Sequence, residues 1–210
     1  MLTIEKELWK EGYNYIACVD EVGRGCLAGD VVASAVVMPK DLFIEGINDS
    51  KKLTAKKRDK LYDIIYSKAV AIGIGSVDSK EIDEINIKRS THKAMKKAIN
   101  NLSDKNGDLI KPDFVLIDAE KIDIKIPQKN IIKGDSKSHG IAAASIIAKV
   151  YRDRLCKEWS KEFKGYGLEK HKGYGTKEHI KALKKKGPSK IHRLSFLKNI
   201  LDDDKQLSMI

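Results

Sequence analysis

Short apolar runs and amphipathic segments follow one another along the chain, and their order predicts a sheet flanked by helices. Apolar runs rich in β-branched residues predict four strands, at residues 15–20, 31–38, 70–77 and 114–118. Apolar positions at helical spacing predict helices at residues 1–12, 54–68, 79–102, 138–161 and 176–186. Thr54 and Thr176 are suitable N-caps for two of them. The pattern therefore predicts one α/β domain.

Acidic residues stand at the carboxyl ends of three apolar runs. Asp20 and Glu21 end the first run, Asp118 ends the fourth, and Asp135 follows a further run at residues 131–134. A long connection that contains a helix normally makes two strands of one sheet parallel, so we expect Asp20 and Asp118 to meet at one edge. Glu21 can join them only if its strand ends there, because side chains alternate between the faces of a regular strand.

A turn rich in glycine follows the first pair of acids. Gly23, Arg24 and Gly25 stand directly after Glu21, and Gly29 precedes the next predicted strand. A dinucleotide-binding loop would open a helix and cradle phosphate with backbone N–H groups. Here a strand follows, and two carboxylates would repel phosphate unless metal ions lay between them. A metal-bridged phosphate site fits better, and a solvated turn with incidental acids stays open as the alternative.

The excess positive charge lies in the C-terminal third of the chain. The formal net charge is +11, and residues 133–193 hold 17 Lys and Arg against 6 Asp and Glu. The remaining residues hold 24 of each sign. A one-sided basic region is typical of a protein that binds a polyanion, here nucleic acid. A solvated, lysine-rich helical face is the alternative.

Length and composition also limit the possible domain organisation and cellular location. The 210 residues allow one domain over positions 1–210, with a helical extension from about residue 165 to residue 210. No apolar run approaches the roughly 20 residues that span a bilayer, and no signal peptide is recognisable, so we expect a cytoplasmic protein that does not enter membranes. The 3 cysteines and 5 histidines lack the spacing of a disulfide framework or a zinc site.

A basic, aromatic and glycine-rich loop precedes the last predicted helix. It includes the segment His-Lys-Gly-Tyr-Gly-Thr at residues 171–176, in which Tyr174 lies between two glycines. Such a loop suits stacking on a sugar or base beside a phosphate-binding lysine. A surface loop with Tyr174 packed inward is the alternative.

Together these motifs resemble those of the bacterial ribonuclease HII family, the type 2 ribonucleases H. Each motif alone is weak, but the set is highly specific and comes in the family's order over residues 15–196. The matching segments are Asp20-Glu21-Val-Gly23-Arg24-Gly25, Asp49-Ser-Lys-Lys-Leu, Asn86-Ile with Ala94-Met95, Leu116-Ile-Asp118, Lys133-Gly-Asp135-Ser-Lys-Ser, the alanine-rich run from Ile141 to Asp153, His171-Lys-Gly-Tyr174-Gly-Thr and His192-Arg193-Leu-Ser195-Phe196.

The resemblance implies an α/β, ribonuclease H-like fold, with a mixed five-stranded sheet flanked by helices and a C-terminal helical extension that binds substrate. It implies hydrolysis of the RNA strand of RNA–DNA hybrids and cleavage on the 5′ side of ribonucleotides embedded in duplex DNA, leaving 3′-hydroxyl and 5′-phosphate ends. The catalytic and metal-binding carboxylates map to Asp20, Glu21, Asp118 and Asp135, and would hold two Mg²⁺ or Mn²⁺ ions in the active complex. Substrate-binding roles map to Gly23, Arg24, Gly25, the junction-sensing Tyr174, Lys51, Lys172, Ser136 and Ser138. We expect a monomer.

Elementary electrostatics agrees with a metal site. Four carboxylates that converge cannot all stay ionised unaided, because nearby like charges raise one another's pKa. Divalent cations resolve this repulsion, and oxygen ligands favour Mg²⁺ or Mn²⁺ over zinc. Asp153 is a reserve candidate ligand, since it lies on the helix after Asp135. Together with Arg152 and Arg154 it is expected on or near the exposed side of that helix.

Three residues depart from the family's pattern. Cys26 and Asp30 stand where prolines are usual, and Ala119 stands where glycine is common. These positions affect the stiffness of turns rather than a ligand, so the conformation of the glycine turn stays open.

Two other classes of protein fit these residues less well. A catalytically silent hybrid-binding module would have no reason to keep all four acids. A Holliday-junction or transposase-like nuclease on the same fold would share neither the glycine turn nor the 171–176 loop.

Overall fold

The computed structural model describes residues 1–198 and 200, and a mixed five-stranded sheet forms its centre. The strands are β1 (Ile16–Val22), β2 (Val31–Val37), β3 (Ala71–Val77), β4 (Phe114–Asp118) and β5 (Gln128–Ile131). Their order across the sheet is β3-β2-β1-β4-β5. The first three strands pair antiparallel, whereas β4 is parallel to both β1 and β5. The prediction that the first and fourth strands run parallel is confirmed.

Helices cover both faces of this sheet. They are α1 (Thr3–Lys10), α2 (Ala55–Lys68), α3 (Ser79–Ile85), α4 (Ile87–Asn100), α5 (Gly134–Lys137), α6 (His139–Glu162), α7 (Leu168–His171) and α8 (Lys177–Lys186), with a 3₁₀ turn at Ser50–Lys52. The side chains of Thr54 and Thr176 accept hydrogen bonds from N–H groups in the first turns of α2 and α8, as predicted. Among the described residues, no helix is both long and apolar enough to cross a membrane.

Alternation along β1 directs neighbouring side chains to different helices. Ala17 and Val19 pack in the apolar cluster that includes α4, whereas Cys18 packs with Ile141 of α6 on the opposite face. All of these side chains are buried. The sheet is therefore a layer between α4 on one side and α6 on the other. Each side chain of β1 faces one of these two helices.

Two of the predicted boundaries are wrong. The helix predicted over 79–102 breaks at Asn86, which has a left-handed φ of 68° and caps α4 through its side chain. Asp135 does not end a buried strand. The strand β5 lies at the sheet edge and is mostly exposed, and left-handed backbone at Lys133 (φ 59°) then starts the short helix that carries Asp135.

The C-terminal segment interlocks with the turn between β1 and β2. Leu27 donates its N–H to the carbonyl of Gly173 at 2.8 Å, and Gly29 donates to the carbonyl of Ile191 at 2.8 Å. Isolated bridges join Cys26 to Tyr174 and Ala28 to His192. Residues 26–29 thus lie like a short strand between two C-terminal segments.

Candidate active site

The site lies where β1 extends beyond its parallel neighbour β4. Pairing between the two strands ends at Val19 and Ile117, while β1 continues beside β2 as far as Val22. Asp20 and Asp118 follow the last pair and lie side by side at the opening. The predicted meeting of these two acids at one sheet edge is therefore found, although β1 does not end at Asp20 as expected.

Glu21 lies on the opposite face of β1 from Asp20, beside Arg24 and a carboxylate that was not predicted, Glu120. The Arg24 guanidinium lies 3.2 Å from Glu21 Oε1 and 2.8 Å from Glu120 Oε1. The other oxygen of Glu120 is 3.0 Å from His92 Nε2. A left-handed turn at Ala119 (φ 52°) brings Glu120 into this position. Arg24 therefore bridges a predicted ligand and a fifth carboxylate.

Asp135 approaches the pair from the start of α5. The backbone N–H of Gly134 donates to Asp118 Oδ1 at 2.6 Å, which fixes the helix start against the strand end. The charges of Asp49 and Asp118 act on Asp135 from two sides. Residues from four separate parts of the chain thus contribute acids to one edge of the sheet.

The crowding of these acids favours their protonated forms. Burial raises the pKa of Asp20 well above its usual value, and the nearby charges of Glu21 and Asp118 raise it further. Burial also raises the pKa of Glu21, with Arg24 acting against it. The pKa of Asp135 is raised by burial and by the charge of Asp49. In contrast, hydrogen bonding from His92 lowers the pKa of Glu120, which favours its ionised form.

These carboxylates fit divalent cations by their chemistry. Glu21 Oε2 is buried and has no hydrogen-bond partner among the described residues, as expected of an oxygen that awaits a ligand. As they stand, no three Asp, Glu, His or Cys side chains of the described residues form a ready ligand cluster. Glu21 accounts for part of this, because its carboxylate is turned toward Arg24.

Backbone geometry explains why two positions of the turn require glycine. Gly23 has a left-handed φ of 90°, and a Cβ there would lie 2.3 Å from Nε of Arg152. Gly29 has φ 80°, and a Cβ there would lie 2.3 Å from the Trp159 ring. Gly25 needs neither explanation, since it has ordinary φ and open space around its Cα. Open space at Gly25 leaves the backbone accessible at the outer side of the turn.

Two buried arginines hold the turn in place. Arg152 donates to the carbonyls of Ala28, Asp30 and Lys172 at 3.1, 2.9 and 2.8 Å. Arg193 donates to the carbonyls of Arg24 and Gly29 at 2.7 to 3.0 Å. Both side chains have no exposed surface.

The prediction that Arg152 lies near the exposed side of its helix is wrong, because backbone carbonyls from distant segments surround it. Burial lowers the pKa of Arg193 to about 10, which still leaves it charged near neutral pH. Among the described residues, no carboxylate forms an ion pair with either guanidinium.

Tyr174 lies beside this turn with its ring partly in solvent. Its exposed fraction is 39%, so the ring is not packed inward. Burial raises the pKa of its hydroxyl to about 12. The Cys26 thiol lies 3.5 Å from the carbonyl oxygen of Lys172. Cys26 therefore contacts the loop that carries Tyr174.

The other residues that were predicted to contact substrate differ in their exposure and in their contacts. Lys51 is exposed on the 3₁₀ turn, and its charge acts on Asp135. Ser136 is exposed on α5, and Lys172 is half-buried with its ammonium on the carbonyl of Glu169.

Ser138 is a correction to the predicted substrate-binding set. It has no exposed surface, caps α6 and donates to Glu5 Oε1 at 2.6 Å, so it cannot reach a substrate from this position.

The reserve candidate Asp153 does not join the acids. Its carboxylate lies 2.7 Å from the Lys149 ammonium and 3.9 Å from the Arg58 guanidinium. Glu120 and His92, in contrast, belong to the site and were not predicted. The sequence signal for Glu120 is its position two residues after Asp118, the acid that ends β4. Its contact with Arg24 is visible only in the fold.

Comparisons with known proteins agree with this geometry. Residues 17–199 match the family model described as Ribonuclease HII. A ribonuclease HII of Alkaliphilus oremlandii is 59% identical over 200 residues, covering 95% of this chain and 98% of the relative. Another, of Acetivibrio thermocellus, is 56% identical and covers 96% of this chain and 77% of the relative.

Two solved structures share the fold. The ribonuclease H2 from Pyrococcus horikoshii OT3 matches with a TM-score of 0.73 at 26% identity, covering 91% of this chain and 99% of that chain. Bst-RNase HIII in complex with Mn²⁺ matches with a TM-score of 0.64 at 15% identity, covering 93% and 71%. The predicted ribonuclease H-like fold is thereby confirmed. The chain belongs to the ribonuclease HII family, the type 2 ribonucleases H, which act on the RNA strand of RNA–DNA hybrids.

Proposed function

We propose that this enzyme cleaves on the 5′ side of ribonucleotides, in RNA–DNA hybrids and in duplex DNA, by hydrolysis that depends on two divalent metal ions. The observation that carries the proposal is the gathering of Asp20, Asp118 and Asp135 at one sheet edge, with Glu21 beside them. Mg²⁺ and Mn²⁺ are the cations that suit such oxygen ligands. A neighbour of the same fold, Bst-RNase HIII, has been solved with Mn²⁺.

The chain's own residues orient the acids and place charge around them. The Gly134 N–H donates to one oxygen of Asp118 at 2.6 Å and the Glu21 N–H donates to Asp20 Oδ1 at 2.8 Å, so both carboxylates have limited freedom. Asp20, Glu21, Asp118 and Asp135 would hold the divalent ions, which would supply a lower pKa for an attacking water and stabilisation of the charge on the leaving 3′-oxygen. Arg24, whose side chain is 40% exposed, is available to a backbone phosphate while Glu120 holds its guanidinium.

Selectivity for the ribonucleotide is proposed to come from the turn and the loop together. The 2′-hydroxyl is the group that distinguishes RNA from DNA, and open space at Gly25 admits a ribose close to the backbone. The half-exposed ring of Tyr174 can pack against the neighbouring deoxyribose, where a 2′-hydroxyl would crowd it. The two elements lie side by side, because Cys26 pairs with Tyr174.

One assay tests the core of the proposal. A DNA duplex with a single ribonucleotide is incubated with the enzyme in Mg²⁺, in Mn²⁺ and in EDTA, and the ends of the products are mapped. We expect cleavage on the 5′ side with either metal, 3′-hydroxyl and 5′-phosphate ends, and none in EDTA. Cleavage in EDTA, or 2′,3′-cyclic phosphate ends, would contradict the metal-dependent mechanism.

Removal of the Tyr174 ring is expected to weaken recognition of the junction. Stacking of this kind is worth about 1–3 kcal/mol, so Tyr174→Ala should slow cleavage at an RNA–DNA junction about ten- to a hundredfold. Tyr174→Phe should be milder if the ring senses the sugar. Cleavage rates are measured on a single-ribonucleotide duplex and on an all-RNA hybrid strand. If both variants cleave both substrates at the wild-type rate, the loop has a structural role.

The basic C-terminal extension, residues 165–210, is proposed to bind the duplex through its phosphates. Each phosphate that a lysine neutralises releases counterions, so about four such contacts would cost on the order of 10²-fold in affinity between 50 and 200 mM salt. Titration of a hybrid duplex at several salt concentrations measures this slope. The slope should fall by about one to two in Lys181→Gln/Lys185→Gln, which removes two exposed lysines of α8.

Lys6→Gln/Lys10→Gln on α1 is the matched control. This helix packs near Ile16 and Phe114, at the opposite ends of the strands from the acids. Its double variant should keep the wild-type slope. An affinity that is flat with salt, or an equal loss in both double variants, would contradict this assignment.

A further inference from the structure

Three histidines lie in contact beneath the loop that carries Tyr174. The rings of His171 and His179 stack with their centroids 4.3 Å apart and an angle of 19° between their planes. Nε2 of His179 lies 3.1 Å from Nε2 of His192. His179 and His192 are 0% and 3% exposed, so water does not compete for these contacts. The three rings connect α7, α8 and the segment that pairs with the glycine turn.

The partners of these rings fix where each proton resides. Nδ1 of His179 lies 3.0 Å from the carbonyl oxygen of Tyr174, which can only accept, so this nitrogen carries the proton. Nδ1 of His192 receives the N–H of Ser189 at 3.0 Å and lies 2.8 Å from its hydroxyl, so it is unprotonated. The proton of His192 is therefore on Nε2 and is donated to the bare Nε2 of His179.

The chain of bonds accommodates each histidine in one neutral form. A second proton on His179 would set two N–H groups against each other at the contact with His192. A second proton on His192 would lie on Nδ1 and point at the N–H of Ser189. Burial lowers the pKa of both rings, that of His192 to about 4, in agreement with the neutral forms.

The same histidines hold the backbone on both sides of the Tyr174 ring. The carbonyl of Tyr174 accepts from His179, and its N–H donates to the carbonyl of His171 at 3.0 Å. The N–H of Gly173 points to Nδ1 of His171 at 3.3 Å. The Thr176 N–H also donates to the carbonyl of Tyr174, at 2.8 Å, and Cys26 pairs with Tyr174. Since the ring itself is partly exposed, its position depends on these backbone contacts together.

We propose that His179 is a positioning residue for Tyr174. Locked in its Nδ1-protonated form by His192 and Ser189, it fixes the carbonyl of Tyr174 together with the Thr176 N–H, and thereby the angle at which the ring meets the sugar. The inference rests on the proposed role of Tyr174 at the junction. It assigns to a buried imidazole, remote from the acids, a part in selectivity but not in the chemical step.

Replacement of His179 tests this role through selectivity. His179→Phe keeps a flat ring but removes one of the two donors to the Tyr174 carbonyl, leaving only the Thr176 N–H. We expect the preference for a single-ribonucleotide duplex over an all-RNA hybrid strand to fall about tenfold, the usual scale for a group displaced by a fraction of an ångström. In His179→Asn the amide nitrogen takes the place of Nδ1, so part of the preference should return. The loss should be in kcat on the junction substrate, with metal affinity unchanged.

His139→Phe is the control for loss of a buried histidine. His139 is 0% exposed, accepts the N–H of Ile44 at 3.1 Å and lies at the start of α6, away from the loop. This variant should lose stability but keep the wild-type preference. A wild-type preference in folded His179→Phe, or an equal loss on both substrates, would overturn the inference. A wild-type enzyme without any preference would instead overturn the junction role proposed for Tyr174.

The tautomers of the histidines can also be measured on the wild-type protein, so this test does not depend on the folding of a variant. The nitrogen shifts of the imidazole rings in a ¹⁵N-labelled sample report the tautomer of each histidine. We expect neutral His179 with its proton on Nδ1 and neutral His192 with its proton on Nε2 at pH 7. The reverse tautomer, or a charged ring at either position, would overturn the inference whatever the activity assays give.

Discussion

Replacement of Asp118 by asparagine is expected to reduce cleavage by roughly 10³-fold or more, since loss of a mere outer partner of a metal ligand already costs about 10–100-fold. The fold should survive, because the amide oxygen of asparagine can still accept the Gly134 N–H that Asp118 Oδ1 accepts. Removal of one charge beside Asp20 and Asp135 should leave the melting temperature equal or raise it. Single-turnover rates, Mn²⁺ binding by calorimetry and thermal unfolding together measure the change.

Asp153→Asn provides the matched control for that experiment. It makes the same chemical change on a carboxylate that pairs with Lys149 and stands apart from the acids. Its activity should stay within about threefold of wild type, the range of surface substitutions away from such a site. Wild-type turnover in Asp118→Asn would remove this residue from the catalytic set, and equal losses in both variants would point to Asp153 as a further ligand.

Loss of the Arg152 guanidinium is expected to produce the largest drop in stability. Arg152→Met keeps the aliphatic stem but leaves the carbonyls of Ala28, Asp30 and Lys172 without their donor. A buried polar group without a partner costs about 1–3 kcal/mol, so the free energy of unfolding should fall by at least about 3 kcal/mol. Denaturant titration measures the loss, and cleavage should fall with it because the glycine turn loses its support.

Arg154→Met is the matched control two residues further along α6. Arg154 is exposed and lies over the Tyr62 ring at 4.3 Å, a contact worth about 0.5–1 kcal/mol. A loss in Arg152→Met no larger than that of Arg154→Met would mean that water or neighbouring groups satisfy the three carbonyls.

The sequence contains enough information to bring Asp20 and Asp118 together. Two short apolar runs locate the strands, and the rule for crossover connections makes them parallel, so their carboxyl ends meet. Asp135 reaches the same edge in a way that the apolar pattern does not predict. The run before it is an exposed edge strand, and the turn at Lys133 redirects the chain into a helix. Short apolar runs alone do not distinguish these two outcomes.

Arg152 shows what cannot be predicted in this way. Its partners are backbone carbonyls that lie 20, 122 and 124 residues away along the chain. Every residue has a carbonyl, so no residue type marks these positions in advance. Glu120 is similar, because its contact with Arg24 spans 96 residues and depends on a left-handed turn at Ala119. The acids could be predicted from local pattern, whereas the groups that orient them depend on the assembled fold.

The contacts of Arg193 have a consequence for the order in which the enzyme matures on the ribosome. Its bonds to Gly29 span 164 residues, and its bond to Arg24 spans 169. Chains emerge at about 5–20 residues per second, so the strands beside the turn are made seconds before this arginine. The nascent sheet can pair early, but the turn that borders the acids stays without its clamp until residue 193 has left the exit tunnel. Catalytic competence therefore comes only after residue 193 has emerged, when most of the scaffold has formed.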